Sequence, residues 1–210
     1  MDQRKIWNAL ASPWNLYRKH VWPETQEFLN NHSGLILDLG CGSGRNFIEG
    51  RNFVGLDFSE KMLQHAQQRA ADRDINVGLV CGDMTRLPFK DDTFDACVCI
   101  SAIQCIEDAD KRKKAVEELN RVMKTGGEAL VSVWNRDQPK FSGKTEDYIP
   151  WKEAGQTFMR YYYLFDKEEF RNLLLGAGFE ILELMESESK AFNMFPKNIL
   201  AIIKKREYPR

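Results

Sequence analysis

Apolar positions along the chain fall into short, nearly continuous runs separated by longer amphipathic stretches. Leu35-Ile-Leu-Asp-Leu39, Phe53-Val-Gly-Leu56, Ile75-Asn-Val-Gly-Leu-Val80, Asp95-Ala-Cys-Val-Cys-Ile100 and Ala129-Leu-Val-Ser-Val-Trp134 are runs of strand length. Strands buried on both faces read this way, because neither side alternates with polar residues. Between the runs the spacing is helical. Met62, Leu63 and Ala66 share one face behind Ser59, a good amino-terminal cap, which predicts a helix through about Ala70. Val116, Leu119, Val122 and Met123 predict a second helix over 108–123, with Gly126-Gly127 as its stop. Asp166-Lys-Glu-Glu169 offers a capping box for a third helix ending near Gly176, followed by strands at Phe179–Leu184 and Asn198–Ile203. The connection from Leu39 to Phe53 is too short for the usual crossover, so at most a one- or two-turn helix fits there. Residues 135–165 read as irregular. Strands and helices that alternate in this way demand a parallel sheet covered on both faces.

The first run ends in Asp38-Leu-Gly-Cys-Gly-Ser-Gly44, a buried strand followed by a tight glycine turn. Glycines permit positive φ and let a ligand come close to the backbone, and ligands bind at the carboxyl ends of strands in open α/β sheets. The second run ends in Asp57, where a carboxylate accepts hydrogen bonds from the two hydroxyls of a ribose. Glycine spacing alone fits NAD, FAD or S-adenosylmethionine.

The 210 residues, 43% apolar, suffice for one globular domain with a sizeable core. No apolar run approaches the roughly 20 residues that span a bilayer, and Met-Asp-Gln-Arg-Lys at the start has no apolar signal core. A cytoplasmic protein without membrane contact is expected. Net charge is −1, so any nucleic-acid binding must be local, at clusters such as Arg18-Lys19-His20, Lys111–Lys114 or Lys204–Arg206, with an opposing acidic run from Glu183 to Glu188. Five cysteines between Cys41 and Cys105 fit reduced thiols in a core. Cys97-Val-Cys99 is the one pair with ligand-like proximity, and nothing near it completes a zinc site, so no metal is expected.

The order Asp38-Leu-Gly-Cys-Gly, with a third strand-end carboxylate in Val80-Cys-Gly-Asp-Met84, resembles the class I S-adenosylmethionine-dependent methyltransferases. The resemblance implies a Rossmann-like α/β fold whose seven-stranded, mostly parallel sheet has the order 3-2-1-4-5-7-6. It also implies that Asp38, Gly40 and Gly42 line the methionine part of S-adenosylmethionine, Asp57 holds the ribose, and Asp83 with the Met84 backbone reads the adenine. Cys41, Gly44, Phe58 and Ser101, at the same strand ends, complete the expected cofactor set.

Further segments narrow the likeness. Trp7-Asn-Ala-Leu-Ala11, Arg18-Lys-His-Val-Trp-Pro23, Val133-Trp134 with Asp137-Gln138, Ile149-Pro-Trp151, Arg160-Tyr-Tyr-Tyr-Leu-Phe165 and Asn198 resemble motifs of the eukaryotic tRNA wobble-uridine carboxymethyl methyltransferases. The likeness runs from about residue 6 to 205, as a single domain with an amino-terminal helical cap over 1–30 and a substrate-side insert over 135–165. Two departures stand out. Gln104-Cys105 replaces the family's His-His pair, and a basic insert carried by some members is absent, so the exact nucleoside stays open.

The implied reaction methylates the carboxylate of a carboxymethyl group on a wobble uridine in the tRNA anticodon loop. That carboxylate is already ionised at neutral pH, so placement and exclusion of water are what the protein must supply. Arg18 and Arg160 are the candidates to orient it, since a guanidinium fork suits bidentate carboxylate recognition. Trp134, Trp151 and Tyr161 are candidates to stack on a splayed-out base, and Arg136 with Lys140 to meet a phosphate. Two other functions fit the core motifs: a methyltransferase for a small quinone- or sterol-like acceptor, and a non-catalytic scaffold that binds the cofactor. The family likeness also implies a heterodimer with a small zinc-binding activator subunit. That subunit adds a strand beside Ile75–Val80, a run with neither the charge nor the proline that protects a free sheet edge.

Overall fold

The computed structural model describes residues 2–187 and 198–207; Glu188, the end of the acidic run, lies outside them. Two helices, α1 (Gln3–Tyr17) and α2 (Pro23–Asn31), precede the first strand. Then follow β1 (Leu35–Leu39), β2 (Asn52–Asp57), α3 (Glu60–Asp72), β3 (Val77–Cys81), β4 (Phe94–Ile100), α4 (Ala109–Val122) and β5 (Met123–Trp134). A hairpin of β6 (Glu146–Glu153) and β7 (Gln156–Tyr163) comes next, then α5 (Lys167–Gly176), β8 (Phe179–Ser187) and β9 (Asn198–Lys205). The main sheet has the order β3-β2-β1-β4-β5-β9-β8, parallel except where β9 runs against both of its neighbours. Numbered without the separate hairpin, this is the expected 3-2-1-4-5-7-6.

Alternation along the central strands splits the core into two layers. Leu37, Cys97, Cys99, Val131 and Val133 join Leu119 and Val122 of α4 and Phe170 of α5. Ile36, Ala96, Val98 and Leu130 point the other way, onto Phe28 and Leu29 of α2 and Leu63 and Ala66 of α3. Successive side chains on a strand face opposite sides, so each central strand feeds both layers. A third cluster, Trp7, Ala11, Met62, Trp134, Phe141, Tyr162 and Leu164, sits apart from these two. All five cysteines are free thiols.

The helix starts follow their caps. Ser59 accepts from the Met62 N–H, Asp108 from Lys111 and Asp166 from Glu169, at 3.2, 2.8 and 2.7 Å. Each satisfies a donor that the first helical turn leaves without an intrahelical partner.

The connection from β1 to β2 holds turns and no helix, within the limit of one or two helical turns that its length set. Two features differ from the sequence reading. Gly126-Gly127 does not stop α4, because α4 ends at Val122 and the chain enters β5 directly at Met123. The glycines lie inside β5 beside a register shift against β4, and a Cβ on Gly127 would stand 2.8 Å from the Asp95 carbonyl oxygen. Close backbone approach, and not a helix cap, is what that position requires. Finally, 146–163 is a regular hairpin turned by Ala154-Gly155, both at positive φ (+47° and +77°), as a two-residue hairpin loop of the mirror-image type demands.

Candidate functional site

The glycine turn after β1 folds over the end of β2. Gly40 and Cys41 donate their N–H groups to the Leu56 carbonyl at 2.8 and 3.0 Å. Gly42 donates to one oxygen of the Asp57 carboxylate at 2.9 Å, and the Ser59 N–H donates to the other at 2.9 Å. The acid at the tip of β2 is thus held by two backbone donors, with lone pairs left for a ligand. Gly40, at φ +75°, must be glycine because an added Cβ would stand 2.4 Å from that of Ala102 at the end of β4. A Cβ on Gly42, at φ +54°, would meet nothing within 4 Å. At Gly42 the turn is open.

A cavity of about 400 Å³ lies across the carboxyl ends of β1, β2, β3 and β4, a size typical of small-ligand sites. One half is walled by Gly40, Cys41, Gly42, Asp57, Phe58, Asp83, Met84 and Ser101, eight of the ten residues expected to hold the cofactor. Ser101 has the left-handed φ of +56°, unusual outside glycine, and is pinned there by its N–H on the Ser132 carbonyl at 3.0 Å. Asp38 and Gly44 are set back from the wall. The Asp38 carboxylate is fully buried and receives Asn46 Nδ2 at 3.2 and 3.3 Å, so it reaches the cavity through Asn46, which does line it. A Cβ on Gly44 would strike the Phe47 ring at 2.6 Å and come within 3.2 Å of the α3 backbone at Ala66. Gly44 serves the packing of the turn against α3.

Burial raises both acids. Asp38 is pushed up from the usual carboxylate range to about 7, against the opposing pull of the Asn46 hydrogen bond and Arg45. Asp57 rises to about 6 despite its bonds from Ser59 and Gly42. In each case the folded value lies above the unfolded one, so the penalty is absent below pH 4, grows as pH rises, and is complete above pH 7. A cationic cofactor that favours the ionised forms must therefore displace protons at mildly acid pH. Affinity for S-adenosylmethionine is expected to increase from pH 5 to pH 8, with proton release below about pH 7. Calorimetry in buffers of different ionisation enthalpy measures that release directly, and a pH-independent affinity without proton exchange would contradict it.

The other half of the cavity is aromatic and cationic. Trp7, Trp14, Trp22, Trp134 and Tyr162 line it together with Arg18, Arg45 and Gln104. Arg18, at the carboxyl end of α1, lies over the Trp14 ring at 4.6 Å, and burial lowers its pKa. Arg45, which the sequence did not single out, lies over Trp22 at 4.9 Å and is lowered to about 9 by burial and by the neighbouring charge of Arg18. Two acids share this side, each with a protein donor on one oxygen. The Glu107 carboxylate accepts the Tyr148 hydroxyl at 3.1 Å, and Asp108 caps α4.

The remaining candidates divide. Trp134 lines the cavity but is 7% exposed and stacked on Tyr162, ring centroids 4.1 Å apart, so it presents an edge and no open face. Arg160 is buried behind the wall among the rings of Trp7, Trp14, Trp151 and Tyr162, with Nη1 on the Tyr162 hydroxyl at 3.0 Å. Trp151 packs on Trp14 and Tyr17. Tyr161 points to the opposite face of β7, where its hydroxyl donates to Glu146 at 2.8 Å; its neighbour Tyr162 is the one that reaches the cavity. Arg136 is outside, paired with Asp166 and Glu169 at the start of α5, and Lys140 lies over Phe141 at 4.4 Å. Among the described residues, no cluster of histidine, cysteine and carboxylate side chains forms a metal site, and no helix is long and apolar enough to cross a membrane.

These walls fit S-adenosylmethionine. Asp57 keeps lone pairs for hydroxyls, the open turn at Gly42 leaves room for a polar tail, and the two buried acids favour a cationic ligand.

Comparison with known proteins agrees. A family model described as a methyltransferase domain matches residues 36–127. A putative methyltransferase from Encephalitozoon cuniculi is 33% identical over 203 residues, covering 92% of this chain and 94% of that protein. The tRNA (carboxymethyluridine(34)-5-O)-methyltransferase ALKBH8 of Mus musculus is 27% identical over 97% of this chain but 29% of its own length. The Schizosaccharomyces pombe tRNA (carboxymethyluridine(34)-5-O)-methyltransferase is 27% identical over 85% of this chain and 89% of its own. The chain thus spans nearly all of the two microbial relatives and under a third of the mouse protein. Among solved structures, a Methanosarcina mazei S-adenosylmethionine-dependent methyltransferase superposes with a TM-score of 0.74 at 21% identity, covering 90% of this chain and all of that one. A putative methyltransferase in complex with the Haloferax volcanii Trm112 methyltransferase activator gives 0.70 at 20% identity, covering 96% and 98%. At these identities the structural likeness is one of fold.

Proposed function

The chain belongs to the S-adenosylmethionine-dependent methyltransferases, and from that premise we propose that it methylates the carboxylate of a carboxymethyl-type wobble uridine in the anticodon loop of tRNA. The observation that carries the proposal is the acceptor half of the cavity, where Arg18 stands over Trp14 among aromatic walls, with Arg45 close by between it and Asp38. A site of this kind attracts an anionic, planar acceptor. A carboxylate acceptor, already ionised at neutral pH, needs no general base. The sequence likeness to the two tRNA methyltransferases supports the same acceptor.

Bound S-adenosylmethionine supplies an electrophilic methyl group on a sulfonium. Asp57 accepts the ribose hydroxyls, and Asp83, whose Oδ1 is held by the Thr85 N–H and hydroxyl at 2.9 Å, faces the adenine together with the Met84 backbone. Arg18 holds the acceptor carboxylate in line, and Arg160 adds positive charge from behind the Trp14 ring. The tryptophans of α1 and its following loop exclude water, which strengthens these interactions. Labelled methyl transfer to bulk tRNA and to a lipid extract tests the acceptor class. Label in tRNA supports the proposal, and label in lipid alone replaces it with a small-molecule acceptor.

A partner subunit is part of the proposal. Strand β3 is paired along one side with β2 and forms an edge of the sheet, with half-buried Val77, Leu79 and Val80 and no charged residue. Such an edge is a template for another strand. A fold neighbour solved in complex with the Haloferax volcanii Trm112 methyltransferase activator supports an activator subunit as partner; that it is small, binds zinc and occupies this edge is what the sequence resemblance implies. Val77 and Leu79 pack inward on the α3 side of the core, whereas Gly78 is exposed, with 3.7 Å from an added Cβ to its nearest neighbour. Gly78→Lys therefore places a charge on the edge with little effect on the interior. It is expected to weaken binding of the subunit about tenfold or more with the melting temperature nearly unchanged, by analogy with the charges that keep natural edges unpaired. Undiminished complex formation by the Gly78→Lys chain would remove β3 from the interface.

A further inference from the structure

Among the described residues, three buried polar atoms on the acceptor side of the cavity have no hydrogen-bond partner. Gln104, fully buried in the short turn Ile103–Cys105 after β4, uses its amide oxygen to accept the Trp134 N–H at 3.0 Å. That bond fixes which end of the amide is which, and leaves Nε2 with no acceptor among the described residues. Asn198, opposite Trp134 across the β5–β9 ladder, leaves its Oδ1 unpaired. Trp7 meets Tyr162 edge-on at 6.4 Å and leaves its indole N–H unpaired. All three residues line the cavity, and each adjoins the stacked Trp134–Tyr162 pair.

Folded chains satisfy nearly all of their buried polar groups; of the orphans among the described residues, including Arg160 Nε behind the wall, these three belong to residues that line the acceptor side of the cavity, and together they point to a ligand that completes them. By chemistry they are a donor, an acceptor and a donor. The Watson–Crick edge of a uracil ring is the complement: a carbonyl, the N3–H and a second carbonyl. Cytosine carries an amino donor where uracil has the 4-carbonyl. Unpaired bases held in pockets are read along this edge.

Resting on the tRNA acceptor above, we propose that Gln104, Asn198 and Trp7 form a subsite that reads the edge of a uracil-type base, with Gln104 determining its preference over cytosine. Gln104 follows closely on Ser101 and Ala102, which wall the cofactor side. It therefore meets the 4-carbonyl, the neighbour of the ring carbon that bears the reacting carboxymethyl group. The Gln104 amide nitrogen donates to that carbonyl, Asn198 Oδ1 accepts N3–H, and the Trp7 indole donates to the 2-carbonyl. A cytosine amino group would face the Gln104 donor, leaving two donors opposed in a desolvated site.

Binding of 5-carboxymethyluridine and 5-carboxymethylcytidine to the protein saturated with S-adenosylhomocysteine, measured by calorimetry, tests the subsite apart from turnover. Wild-type protein is expected to prefer the uridine by about tenfold or more, since a site built to bond a particular polar group rejects analogues that mismatch it. Gln104→Glu keeps the oxygen that accepts from Trp134 and exchanges the donor for an acceptor, so the preference should vanish or reverse while affinity for S-adenosylmethionine holds. If Gln104→Glu does not fold, Trp7→Phe removes the bond to the 2-carbonyl, which both bases carry, and is expected to weaken binding of both nucleosides by a similar factor with their ratio unchanged. No preference in wild type, an unchanged ratio in folded Gln104→Glu, or undiminished binding of both nucleosides to Trp7→Phe overturns the proposal. A uridine preference without any methyl transfer to tRNA upholds the subsite and rejects the proposed reaction.

Discussion

Replacing Arg18 with alanine is expected to lower methyl transfer to tRNA about thirty- to five-thousand-fold while affinity for S-adenosylmethionine stays within a factor of about two. The arginine is the guanidinium from the sequence candidates that the structure places on the cavity wall, over Trp14 and apart from the cofactor half. Truncating one partner of a desolvated charge pair costs about 2–5 kcal/mol, because the other charge is left buried without it. Arg18→Lys keeps the charge but loses the planar fork, so it should recover part of the rate. Steady-state kinetics with tRNA as the varied substrate, beside calorimetry with the cofactor, separates these effects. A parallel loss of cofactor affinity would assign Arg18 to the cofactor instead.

The second large effect is expected at Asp57. Asp57→Ala leaves the ribose hydroxyls without their acceptor and should weaken S-adenosylmethionine binding by about 1–3 kcal/mol. Stability of the free chain should move much less, because two contributions oppose each other. Alanine orphans the N–H groups of Gly42 and Ser59, yet it also removes a carboxylate whose ionisation burial already penalises. Thermal shift with and without cofactor therefore shows the loss mainly as a smaller ligand-induced increase in Tm. Unchanged cofactor affinity would take Asp57 off the site.

Much of the sheet and the cofactor half of the cavity was legible because short-range rules set them. The Asp38–Gly44 turn, the carboxylate ending β2, and the caps Ser59, Asp108 and Asp166 each act within a few residues of where they stand. The acceptor half depended on parity and on long-range packing, which spacing does not encode. Arg160, Tyr161 and Tyr162 follow one another on β7, so the choice of which faces the cavity turns on a register set by the Ala154-Gly155 turn. That turn between Trp151 and Phe158 was a hairpin signal, though Pro150 within the run obscured it. Arg45 follows a glycine turn and becomes an acceptor-side cation through its contact with Trp22, brought there by the start of α2. Gln104 was visible only as a departure from a family pattern; its orphaned amide nitrogen emerges once Trp134 is seen to occupy the oxygen.

The central claim is tested most directly by mass analysis of tRNA nucleosides before and after incubation with this chain, the proposed activator subunit and S-adenosylmethionine. Conversion of a carboxymethyl uridine at the wobble position to its methyl ester, dependent on the cofactor, is the predicted result. Unchanged tRNA nucleosides under conditions where the chain binds the cofactor and the tRNA would contradict it.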